Sequence, residues 1–171
     1  MRKLALFLFI VFGSTAYASE SKKGFHFNLG FGYSYVDSDL KDTGSLGIGL
    51  DIGFGLTEKF SLVGLQKNVF YEIGNTDIVH AVSALGVTFY VNKLYFTGAV
   101  GVANTQKNYS FDLFSGNFGD GYVIELGIEL IPQIALEFYW TQANTGASSS
   151  GDVIFPKDHT TFNIAVVAMV Y

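Results

Sequence analysis

A two-residue hydrophobic period that recurs along most of the chain restricts its fold more than any other feature. Over residues 24–35, Phe25, Phe27, Leu29, Phe31, Tyr33 and Tyr35 occupy every second position, with only Gly, His, Asn or Ser between them. Successive side chains of an extended chain point to opposite faces, so this stretch is a strand with one apolar face. Leu46, Ile48, Leu50, Ile52, Phe54 and Leu56 repeat the pattern against Gly47, Gly49, Asp51, Gly53 and Gly55. Further strands are expected over about 60–71, 79–91, 94–103, 122–130, 134–141 and 160–171, giving eight. The third is the least regular, with Gln66-Lys67-Asn68 in its middle, and the eighth is apolar on both faces.

The links between these strands alternate in length. Thr57-Glu58-Lys59, Asn92-Lys93 and the turn around Pro132-Gln133 are short, whereas the stretches near 36–44, 73–78, 104–120 and 142–158 are longer and polar. Short and long links in strict alternation put the short turns at one end of an up-and-down meander and four loops at the other. Pro132 fits a turn and would break a central strand.

Eight antiparallel strands suit either a soluble barrel with its apolar face inside or a transmembrane barrel with that face outside. The polar face decides. Along the first two strands it is almost entirely Gly, Asn and Ser, with His26 and Asp51, where a water-facing surface would carry many Lys, Glu and Thr. A glycine-rich face fits the narrow interior of an eight-stranded barrel. Phe25, Tyr33, Tyr35, Phe54, Phe89, Phe96, Tyr122 and Trp140 lie near strand ends, where interfacial aromatic girdles form.

The N-terminus has the layout of a signal peptide: Arg2 and Lys3, an apolar stretch over 4–12, then Ala16-Tyr17-Ala18 as a small-x-small cleavage site. Residues 1–18 are therefore expected to be removed and 19–171 to form one barrel domain. The mature chain keeps 8 Lys and no Arg against 15 acidic residues. That balance excludes nucleic acid as a partner and removes bidentate Arg recognition of phosphate. The absence of Cys excludes disulfides and thiolate metal sites, and the chain carries no cofactor motif.

Together these features make the chain similar to the small outer-membrane β-barrel proteins of the OmpA/OmpX type, an all-β, eight-stranded antiparallel up-and-down transmembrane class. The resemblance covers the mature chain and includes the last strand, which ends on aromatic Tyr171. It implies an outer-membrane location with both termini in the periplasm, outer-membrane lipid and barrel-assembly machinery as partners, and Tyr171 as part of the assembly signal. The family holds scaffolds, adhesins, narrow channels and a few enzymes, so the fold alone does not name an activity.

Two groups of residues are candidates for function. Pairing Leu130 with Ile134 puts Gly127 opposite Glu137, with Glu125 and Glu129 as diagonal neighbours, so three carboxylates share a patch of interior wall. Asp51, His26 and His80 also point inward, as does Lys67 if the third strand keeps register with the second, and the crowded carboxylates are expected either to ion-pair with Lys67 or to hold their protons. This network either braces a filled barrel or gates ions through a narrow one. The second group is in the long loops: Tyr109, Phe111, Phe114, Phe118 and Phe155 among Ser, Gly and Asn, the equipment of a recognition surface for an extracellular ligand. A lipid A deacylase arrangement would need a Ser two residues after His159, where Thr161 stands, and His159 reads as a solvated residue at a loop edge. The expected role is structural or adhesive, with a low-conductance pore and a lipid-modifying enzyme as alternatives.

Overall fold

The structure is a computed structural model that describes residues 22–38, 42–107, 116–145, 149–150, 153–154 and 157–171. Eight long strands close a barrel: β1 (Gly24–Ser38), β2 (Thr43–Gly55), β3 (Phe60–Ile73), β4 (Thr76–Val91), β5 (Leu94–Lys107), β6 (Asn117–Ile131), β7 (Ile134–Asn144) and β10 (Asp158–Val170). Each pairs antiparallel with its sequence neighbours, and β1 pairs with β10 across the closing seam. Between β7 and β10, the two-residue strands β8 (Ser149–Ser150) and β9 (Val153–Ile154) form a small separate hairpin. No helix occurs among the described residues.

The alternating pattern becomes the wall. Phe25, Phe31, Tyr33, Tyr35, Leu46, Ile52, Phe54, Ile124, Leu126, Phe138, Phe162, Ile164 and Val166 face outward and are exposed. His26, Asn28, Asp51, Lys67, Glu125, Glu137 and Asn163 are buried inside. An apolar exterior around an interior that packs polar and charged side chains among smaller apolar ones such as Val63, Val82 and Val123 is the arrangement of a transmembrane barrel. From Phe25 to Tyr35 the belt runs roughly 33 Å along β1, which at a tilt near 45° covers about 23 Å of height, close to the apolar band of such barrels.

The bulk of the interior is matched across strands. His26 lies opposite Gly53, Lys67 opposite Gly49, and Tyr95 and Glu137 both opposite Gly127. A Cβ on Gly127 would stand 1.9 Å from the Tyr95 ring, and one on Gly53 2.2 Å from the His26 ring. The glycines on the inner face are thus the clearance that lets large polar side chains lie across the barrel.

Three expectations about the backbone need correction. The stretch 73–78 is no long loop: Ile73 pairs with Thr76 around the two-residue turn Gly74-Asn75, with Gly74 at φ 63°. Most strands also run further toward the loops than the alternation suggested, β5 to Lys107 and β6 from Asn117. Leu130 does not pair with Ile134. It is skipped by a register shift, and Ile131 takes the place opposite Ile134, although Gly127 still meets Glu137. That turn is tight: Gln133 adopts φ 79° after Pro132, as position i+2 of a type II turn requires. The facing of β10, silent in the sequence, is resolved by its pairing, with His159, Thr161, Asn163, Ala165, Val167 and Met169 inward.

Candidate functional site

The interior is stacked in three levels. At mid-height, Lys67 enters from β3 and its Nζ lies 3.0 Å from Asp51 on β2, 2.5 Å from Glu125 on β6 and 3.1 Å from Glu137 on β7. All four residues are nearly inaccessible to solvent. The Tyr95 hydroxyl donates to Glu137 Oε2 at 2.9 Å, and the ammonium also sits 4.8 Å from the centre of the Tyr139 ring. One ammonium therefore ties the β2–β3 side of the wall to the adjacent strands β6 and β7 across the barrel. The Tyr95 hydrogen bond satisfies part of this cluster, and removal of one partner would leave a buried charge uncompensated.

Glu129 does not belong to this cluster. The residue predicted to share the patch sits one level lower, at the end where β1 begins and β10 finishes, and pairs with Lys22. The Tyr171 hydroxyl donates to Glu129 Oε1 at 3.0 Å and accepts from Lys22 Nζ at 2.8 Å. Lys22 also lies over the rings of Tyr171 and Tyr90, at 4.3 and 5.1 Å from their centres. His26 belongs to this level, 6.1 Å from the Tyr171 ring, and not to the carboxylate cluster. Burial pulls the Lys22 ammonium down to about 8, against the upward pull of Glu58. The terminal aromatic thus serves here as part of an interior clasp.

The third level is at the loop end. His80 and His159 stack with ring centres 4.1 Å apart and planes 11° from parallel. Thr105 Oγ1 lies 2.9 Å from His80 Nδ1 and 3.4 Å from His159 Nε2, and Tyr71 Oη lies 3.2 Å from His159 Nδ1. His159 is fully buried, which corrects its reading as a solvated loop-edge residue. Its position shares the parity of Thr161 and Asn163, and that parity was the available signal. His80, likewise, belongs to this pair and not to the Lys67 cluster.

Of the sequence-derived candidates, Asp51, Lys67, Glu125 and Glu137 are brought together, whereas Glu129, His26 and His80 are distributed to other levels. Sequence reasoning missed Lys22, Tyr95, Tyr139 and His159 as partners. Tyr95 was within reach, because a two-residue turn at 92–93 puts Leu94 outward and hence Tyr95 inward. Lys22 precedes the first alternating residue and carried no pattern. Among the loop candidates, Phe118 sits exposed on the outer face of β6. Tyr109, Phe111, Phe114 and Phe155 lie outside the described residues, as does the expected signal peptide.

Comparison with known proteins gives the fold a name. No protein-family model and no curated protein matches the chain. Solved structures do. The chain shares the fold of the small outer-membrane barrels. The attachment invasion locus protein Ail of Yersinia pestis superposes with a TM-score of 0.60 at 15% identity, covering 86% of this chain and 99% of Ail. Neisserial surface protein A gives 0.58 at 11% identity, over 86% of this chain and 97% of that one. The outer membrane protein OprG from Pseudomonas aeruginosa gives 0.50 at 10%, over 88% and 98%.

Proposed function

We propose that this protein is an integral outer-membrane barrel with its termini in the periplasm, serving a structural or adhesive role through its loop end rather than a transport role through its interior. The observation that carries this reading is the filled interior. Beside the Lys67 cluster the enclosed cavity amounts to about 10 Å³, room for roughly one water. Above and below it the His80–His159 stack and the Lys22–Glu129–Tyr171 clasp occupy the remaining levels. Outer-membrane lipid surrounds the apolar belt, and barrel-assembly machinery is the partner during biogenesis.

The loop end is acidic. Among the described residues it carries Asp37, Asp42, Glu72, Asp77, Asp120 and Asp158 against Lys107 and Lys157. A crystal structure of Ail holds the heparin analogue sucrose octasulfate. Here the surface charge opposes a polysulfated ligand and favours a basic or neutral partner. Hydrolysis of lipid by His159 is disfavoured by its burial inside the wall, out of contact with the lipid-facing side.

A narrow pore is the second reading, favoured by the ionisable side chains spaced along the axis, with the Lys67 cluster as a gate. Two measurements test the proposal. Refolding in detergent should give a heat-modifiable species, faster on a gel before boiling than after. In planar bilayers the wild-type protein should show no discrete conductance steps. Regular steps that change size in Lys67→Ala would replace the structural reading with the pore.

A further inference from the structure

At mid-height the interior charges do not balance. Asp51, Glu125 and Glu137 bring carboxylate oxygens within 4.8 Å of one another, and Lys67 alone occupies their point of convergence. Two ionised carboxylates in excess would be very costly inside a protein wrapped in lipid. Next to this cluster lies the enclosed cavity, lined by Asn28, Asp51, Thr88, Thr97 and Glu125 on its polar side. Asn28 and Asp51 face each other across the β1–β2 ladder. Asn28, which lines the cavity, is only 8% exposed, and its Oδ1 has no hydrogen-bond partner.

We propose that this cavity is a binding site for one small monovalent cation of sodium's size, held by the Asn28 amide oxygen, the Asp51 and Glu125 carboxylates and a threonine hydroxyl. The donor set is all oxygen, which suits hard cations and not zinc or copper. His26 and His80 lie at other levels and supply no nitrogen. A divalent ion fits badly on two counts. Calcium takes 6–8 oxygens and magnesium keeps several waters, more than a cavity of about 10 Å³ admits. Its second charge would also stand beside the Lys67 ammonium. A bare monovalent cation removes one of the excess negative charges and gives the Asn28 oxygen its partner. A water molecule there would give the partner and leave the charge.

The test compares the refolded protein in sodium chloride, caesium chloride and choline chloride at equal ionic strength. Sodium should raise the melting temperature by several degrees over choline, saturably with its concentration, as a ligand bound only by the folded state must. Caesium, too large for the cavity, should behave like choline. In Asn28→Leu the sodium increment should vanish, and native mass spectrometry should show a retained sodium in the wild type that this variant lacks. Equal melting temperatures for the wild type in all three salts would overturn the proposal; the carboxylates would then hold protons, or the cavity a water. A sodium increment that survives in Asn28→Leu would also overturn it, since the ion would then lie on the acidic loop surface. The wild-type comparison stands on its own if the variant does not fold.

Discussion

Replacing Lys67 by Met removes the ammonium that meets Asp51, Glu125 and Glu137 and leaves three carboxylates facing each other. The three contacts, at 2.5–3.1 Å, are each worth about 5–7 kcal/mol of attraction at an effective dielectric near 20. Mutual repulsion among the carboxylates, which lie within 4.8 Å of one another, costs about 3 kcal/mol or more per pair on the same scale. Desolvation of four buried charges consumes most of the remainder, which is why intact buried pairs add little and broken ones cost about 3–5 kcal/mol. With a urea dependence of about 2 kcal/mol per molar, that loss lowers the unfolding midpoint by roughly 1.5–2.5 M. The assay is urea unfolding in detergent, followed by gel mobility and circular dichroism. Lys67→Met combined with Asp51→Asn, Glu125→Gln and Glu137→Gln removes the charges together and should recover most of the loss. A midpoint within about 0.3 M of wild type for the single variant, small against the expected slope, would falsify the charge-balance argument. So would a quadruple variant no better than the single one.

Three further perturbations follow from the same architecture. Lys22, held near 8 by burial and free to titrate near 10.5 when unfolded, leaves the folded state with fewer bound protons across that window. Stability of the wild type relative to Lys22→Met should therefore rise from pH 8 to pH 10, and a fall would show that the Glu129 pair outweighs burial. Gly127→Ala forces a methyl group into the Tyr95 ring and should cost about 1–3 kcal/mol in urea unfolding, whereas Gly98→Ala, with nothing within 4 Å of the new Cβ, should stay within about 0.5 kcal/mol. His159→Ala strips the stacked ring from His80 and one hydrogen-bond partner from Tyr71, and should lower stability by about 1–3 kcal/mol without changing lipid hydrolysis above background.

The architecture was legible because its cause is local. A period of two fixes facing, and it marks Asp51, Glu125 and Glu137 as inward residues, with Lys67 inward once the third strand keeps register with the second. Their meeting also required the β2–β3 register, which places Gly49 opposite Lys67 and so gives the lysine room to cross. What the period could not supply was height along the axis. Glu129 shares the parity of Glu125 yet lies at the terminal end, where Lys22 reaches it first. His26 and His80 face inward as expected, at opposite ends of the barrel. Length of a link was equally hard to read: Gly74-Asn75 hides a tight turn inside a polar stretch that resembled a loop. The bulge at Leu130 follows from turn geometry around Pro132 and Gln133, which alternation alone does not register.

The clasp at the terminal end has a kinetic meaning. Lys22 and Tyr171 are 149 residues apart in sequence and touch only across the seam where β1 meets β10. Every other pair of wall strands is joined by a hairpin and can form as soon as both have been made. The seam cannot, because its closure entropy is the largest in the molecule and its contacts are the least local. A lysine just ahead of the first wall strand and a tyrosine just after the last one thus report that all eight wall strands have arrived. Their contact with Glu129 ties that report to the interior, so that closing the wall and sealing its terminal end become one event.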